Sequence, residues 1–122
     1  MSKICNIDLE ARGEISGRIE QYCQEIIREL NPRQIILFGS FATGDISEGS
    51  DIDIMVIADF QLSFLDRIKL LLELNRFDLP IEPIGYTAEE FDRMRQAGNA
   101  FISRAVEEGK IMYQKTVKGK RD

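Results

Sequence analysis

The segment that most restricts the fold is Asp51-Ile52-Asp53-Ile54-Met55-Val56-Ile57-Ala58, acidic at its first and third positions and wholly apolar beyond them. An unbroken apolar run of this length, rich in β-branched residues, reads as a strand buried on both faces, and such a strand needs helices or sheets packed on either side of it. A second run of the same kind, Gln34-Ile35-Ile36-Leu37-Phe38, stops at Gly39. In a chain of 122 residues these two strands belong to one compact domain, with no separate substrate-binding domain expected.

The remaining elements follow from periodicity and punctuation. Apolar residues at Ile15, Ile19, Tyr22, Cys23, Ile26, Ile27 and Leu30 line one face of a helix over Glu14–Leu30, which Asn31-Pro32 stops. Ser63 with Asp66 suggests a capping box for a crossover helix whose Leu65, Ile68, Leu71, Leu72 and Leu74 are expected in the core. Leu79–Tyr86 reads as a third strand, placed at an edge by Pro80 and Pro83. Thr87 with Glu90 caps a helix that pauses at Gly98-Asn99, resumes through Phe101, Ile102, Ala105 and Val106, and ends at Gly109 as its C-cap. Lys110–Tyr113 adds a short last strand. The expected architecture is an α/β (α+β) domain over residues 1–114, a mixed sheet of about four strands flanked by helices. The basic tail over 115–122, with Lys115, Lys118, Lys120 and Arg121, is read as a solvated terminus.

Composition removes several classes of function. No apolar run approaches the roughly 18 residues that a membrane span requires, and Met1–Asn6 lacks a signal-peptide core, so a cytoplasmic protein without membrane contact is expected. There is no histidine, and Cys5 and Cys23 form no CxxC pair, which excludes the usual zinc and Cys-His arrangements. A formal net charge of −5 argues against nucleic acid as a partner. Tyr22, Tyr86 and Tyr113 fall where structural aromatics are expected.

The chemistry concentrates where the two apolar runs begin and end. Side chains of a strand alternate faces, so Asp51 and Asp53 point the same way, about 7 Å apart along the backbone. At that separation two carboxylates repel by roughly 2–3 kcal/mol at an effective dielectric of about 20, a cost that a bound cation removes. Magnesium fits, being held by one or two carboxylates while phosphate oxygens and water complete its octahedron. Gly39 lets a phosphate approach the backbone, and Ser40 offers a hydroxyl and backbone donors. Glu82, mid-strand in an otherwise apolar segment, is the candidate third carboxylate. An EF-hand over Asp45–Val56 fails because Ser50 and Val56 stand at its glycine and glutamate positions, and Gly39-Ser40 is no Walker A motif. The plainer alternatives are a solvated strand entrance for Asp51 and Asp53 and a sheet-edge salt bridge for Glu82.

Gly39-Ser40-Phe41-Ala42-Thr43-Gly44 followed by Ser50-Asp51-Ile52-Asp53 resembles the signature of the polymerase-beta nucleotidyltransferase superfamily, most closely its minimal members. Glu82–Phe91 resembles the family's third-acid strand and the helix after it. The resemblance implies the polymerase-beta-like nucleotidyltransferase fold and transfer of a nucleoside monophosphate, AMP from ATP, onto an acceptor hydroxyl. It further implies triphosphate binding by Gly39, Ser40 and Ser50, and two Mg²⁺ ions (or Mn²⁺) on Asp51, Asp53 and Glu82, the catalytic acids. Some minimal members resembling this chain are antitoxins that adenylylate a tyrosine of a HEPN-family toxin, which makes such a toxin the implied partner. The chain departs from the pattern at Glu82, where aspartate is usual, and at Phe41 and Thr43, where many members carry arginine. A non-catalytic antitoxin or adaptor that neutralises its partner by binding is the alternative.

Overall fold

Each of the two apolar runs becomes a central strand. The computed structural model describes residues 2–39 and 51–115, with side chains from residue 15 onward. Helix α1 (Ser2–Leu30) leads into β1 (Gln34–Phe38); β2 (Ile52–Ile57), α2 (Phe64–Glu73), β3 (Ile81–Tyr86), α3 (Ala88–Gln96), α4 (Ala100–Glu108) and β4 (Lys110–Gln114) follow. The strands lie in the order β3-β2-β1-β4. β1 pairs antiparallel with both β2 and β4, and β2 pairs parallel with β3. A parallel pair cannot be joined by a hairpin, so α2 supplies the crossover.

Alternation along the central strands divides the core in two. Ile35, Leu37, Ile54 and Val56 face Tyr22 and Ile26 of α1 and Leu71 and Leu74 at the end of α2. Ile36, Met55 and Ile57 face Phe91 of α3 and Ile102 and Ala105 of α4. Helices therefore cover both faces, which is why β1 and β2 carry almost no polar residues. The Tyr22 hydroxyl donates to the Leu71 carbonyl at 2.6 Å, and the buried Glu25 carboxylate lies 3.6 Å from Arg76, tying α1 to α2 and the turn after it. Cys23 is buried as a free thiol, pushed up to about 12 by burial and then by the negative field of Glu20. No described helix is long and apolar enough to cross a membrane.

Caps set the helix boundaries much as the sequence suggests. Thr87 and Glu90 form a complete capping box, Asn99 accepts from the Ile102 amide, and Ser63 accepts from the Asp66 amide. Three expectations need correction. Helix α1 begins at Ser2, well before Glu14. Gly109 does end α4, but with φ −78° and not in the left-handed region. Its glycine answers to crowding, since a Cβ there would collide with the Ala105 carbonyl and come within 2.7 Å of Ile36. The third correction concerns α2: Leu71 and Leu74 are core, whereas Leu65 is 74% and Leu72 47% exposed. The helix is longer than the part of it that meets the sheet.

Arg67 is the polar residue on which this half of the fold turns. It is 7% exposed, and its guanidinium donates to the Leu62 carbonyl at 2.8 Å, the Gly85 carbonyl at 3.2 Å and both carboxylate oxygens of Glu90. It also lies 5.3 Å from the centre of the Phe60 ring, which in turn covers Gly85 so closely that a Cβ there would sit 2.9 Å from it. One side chain thus joins α2, β3 and the start of α3. The Arg67 hydrogen bond holds Glu90 below the usual carboxylate range, against the opposing effect of burial. A depressed carboxylate stabilises the fold above its unfolded pKa of about 4.3, and that contribution disappears as pH falls through the folded value. Glu90→Ala, which removes half of the capping box and unpairs Arg67, should lower the unfolding free energy at pH 7 by about 2 kcal/mol. Denaturant titration across pH should show the deficit closing below about pH 4; a pH-independent deficit would assign the loss to packing alone.

Candidate active site

The β2–β3 register puts Asp53 directly opposite Glu82. In a parallel pair, opposite residues project from the same face of the sheet, so the two side chains share the α3–α4 side. Asp51, immediately before β2, lies near enough to act on both. The negative field of Asp51 is the largest influence raising Glu82 above the usual carboxylate range, followed by hydrogen-bonding and charge interaction with Asp53. Asp53 is also raised, by partial burial first and by Asp51 as well, while its hydrogen bond with Glu82 opposes the rise. All three proposed acids therefore meet, from two strands, in one field.

The ion pairs of the described residues lie elsewhere. Among the described residues, those pairs join Arg28 to Glu25 and Glu29, Arg67 to Glu90, Arg76 to Glu25 and Arg104 to Glu108. None includes Asp51, Asp53 or Glu82. Glu82 is exposed, so the cost of placing it here is proximity to two like charges and not the burial expected from its apolar neighbours. Among the described residues no three acidic or thiol side chains are already drawn up as a ligand set for a metal ion.

Gly39 is required by two independent constraints. Its φ is +77°, in the left-handed region, and a Cβ on it would collide with the Asp53 carboxylate. Phe38, the residue before it, pairs with Asp53 across β1 and β2. The backbone turn at the end of β1 therefore lies against one of the acids, an approach that no larger residue permits. Ser40 and Ser50, together with the intervening Phe41 and Thr43, lie outside the described residues, as do Lys118, Lys120 and Arg121 of the tail.

Sequence reasoning missed two features next to the acids. Arg67 holds the strand that carries Glu82; its one signal was a lone arginine among the apolar positions of a crossover helix. Phe38 and Phe101 meet edge to face at 5.5 Å and, with Asp53 and Glu82, line a groove of about 540 Å³ along the β3 edge. That contact joins residues 63 positions apart, so no local pattern announces it.

Three substitutions check this geometry. Gly39→Ala should cost about 1–2 kcal/mol for the left-handed backbone alone, and more because Asp53 must move. Asp53→Asn and Glu82→Gln should each raise the thermal midpoint near neutral pH in metal-free buffer, because each removes a charge from a mutually repelling group. Thermal unfolding of all three variants tests both statements; lower midpoints for the two acid variants would mean that the carboxylates are held by cations within the protein.

Comparison with known proteins agrees with the architecture. Residues 20–118 match the family model described as polymerase beta, nucleotidyltransferase. Two Methanocaldococcus jannaschii proteins are similar in sequence. "Putative protein adenylyltransferase MJ0604" is 35% identical over 83 residues, covering 66% of this chain and 78% of the relative. "Putative protein adenylyltransferase MJ0141" is 30% identical over 79 residues, covering 60% and 80% respectively. The crystal structure of a "putative nucleotidyltransferase" from Sulfolobus solfataricus shares the fold, with a TM-score of 0.64 over 88% of this chain and 86% of that one at 19% identity. A toxin-antitoxin crystal structure with AMP-PNP superposes with a TM-score of 0.58 at 25% identity, over 84% of this chain and 78% of that one. With the family match spanning most of its length, the chain belongs to the polymerase beta nucleotidyltransferase family and is an enzyme of the nucleotidyltransferase class.

Proposed function

We propose that this protein transfers AMP from ATP to a hydroxyl of a partner protein and acts as an antitoxin on a HEPN-family toxin, with a tyrosine of that toxin as the acceptor. The observation that carries the reading is the convergence of Asp51, Asp53 and Glu82 beside the Gly39 turn. A protein acceptor agrees with the names of the two archaeal relatives, and an antitoxin role with the toxin-antitoxin structure whose fold this chain resembles.

The residues present suit divalent metal. Asp51, Asp53 and Glu82, which have no cationic partner among the described residues, form a hard oxygen donor set, and Gly39 brings the backbone turn against Asp53. Asp51, Asp53 and Glu82 would hold two Mg²⁺, or Mn²⁺, which when bound neutralise the charge of the triphosphate and of the pyrophosphate leaving group. Gly39, with Ser40 and Ser50 in its neighbourhood by sequence, would hold the triphosphate through backbone and hydroxyl donors. In the transfer itself the acceptor oxygen bonds to the α-phosphorus as the bond from that phosphorus to the bridging β-phosphate oxygen breaks. Pyrophosphate departs, and the hydroxyl proton passes to the Glu82 carboxylate, which the strand register sets opposite Asp53.

A second reading rests on the acids not being already drawn up as a ligand set. In that case the protein neutralises its partner by binding alone. Incubation with Mg²⁺, labelled ATP and the product of the adjacent gene separates the two. Label on the partner, lost about a thousandfold in Asp53→Asn, is the expected result. No label with any of the four nucleotides, together with neutralisation by an Asp51→Ala, Asp53→Ala double variant, would leave binding alone.

A further inference from the structure

The lining of the groove beside the acids restricts what could occupy it. Among the described residues its charged groups are Asp53 and Glu82; the rest of the lining is apolar, with Ile68 and Leu72 of α2 and, from the other elements, Ile84 and Phe101. Outside the groove the apolar surface continues along α2. Leu65, Ile68 and Leu72 fall on one helical stripe, and the first and last are 74% and 47% exposed, the very leucines expected in the core. Single exposed leucines are ordinary, but a stripe running into a groove that ends at a reactive site marks a recognition surface.

Charge and hydrogen bonding narrow the class of ligand. A sugar-phosphate acceptor would find, among the described residues, no polar partner along the apolar walls. A peptide strand added to the sheet edge is equally ill served. The Ile81 amide is already used by the Leu79 carbonyl, Pro83 has no N–H, and the Gly85 carbonyl is taken by Arg67. The occupant must dock through side chains, bring an apolar body, and present an uncharged polar atom to the carboxylates.

We infer that the groove of Leu72, Ile84 and Phe101, extended by the α2 stripe, is the acceptor site. Its occupant is an apolar face of a folded protein whose hydroxyl-bearing side chain reaches into the groove toward Glu82. This rests on the transferase reading and adds to it the surface on which specificity depends.

The test follows backbone amides by NMR with three probes on the whole chain. N-acetyl-tyrosinamide carries a hydroxyl on an apolar ring, ribose carries hydroxyls on a polar one, and a non-hydrolysable ATP analogue with Mg²⁺ reports the nucleotide site. The tyrosine derivative should shift Leu72, Ile84 and Phe101 while ribose does not, and Leu72→Asp should weaken that binding at least tenfold while the analogue still shifts Gly39 and Asp53. Leu65→Asp, at a position too exposed to threaten folding, should leave the sedimentation behaviour unchanged. Three results would overturn the assignment: no shift in the groove from the tyrosine derivative, groove shifts from the nucleotide analogue alone, or a dimer that Leu65→Asp dissociates. An analogue that leaves Gly39 and Asp53 unmoved would instead remove the transferase reading itself.

Discussion

The parallel pairing of β2 with β3 is the constraint from which the candidate site follows. It sets Asp53 opposite Glu82, and moving the register by one residue would send Glu82 to the opposite face of the sheet. Like-charged neighbours do nothing to hold such a register, so the pairing must be secured by groups away from the acids. The Arg67 clamp serves that end. By bonding the Gly85 carbonyl and the Glu90 carboxylate from within the crossover helix, it anchors the far end of β3, and the acids gather at the near end.

This separation of a stabilised end from a reactive end has an energetic logic. Charge pairing and capping converge where β3 enters α3, whereas where β2 and β3 begin the protein holds three carboxylates with no cation from its own chain among the described residues. Such a group weakens the fold when ionised and becomes favourable only with a ligand that carries positive charge. In the proposed transferase, a metal-nucleotide complex would recover on binding the stability surrendered in this way. Gly39 belongs to the same arrangement, since it gives up side-chain contacts and accepts a left-handed backbone so that the chain can lie against Asp53.

Legibility in the sequence depended on how local the cause was. The strands of the centre, the capping box at Thr87 and the edge position of β3 follow from near neighbours: alternation, capping spacing, and proline's missing donor. The leucines of α2 misled because helical periodicity reports which residues share a face and not how far the opposing surface extends. Gly109 was placed correctly as the end of α4 but for a different cause, since the crowding comes in part from Ile36, a residue on another element.

What the amino-acid order determined alone was the set of elements and the type of chemistry: buried strands, their acidic entrance, and a small-residue turn beside it. These are consequences of short-range sterics, of backbone periodicity and of charge. The tertiary structure decided which residues share space, because that depends on strand order and register, which join positions far apart in the chain. Arg67 became a clamp, Phe101 came to stand against Phe38, and the outer leucines of α2 were left facing solvent through packing alone. The acids could be read as a candidate site from their spacing, but the groove in front of them exists only once β3 has become the edge of the sheet.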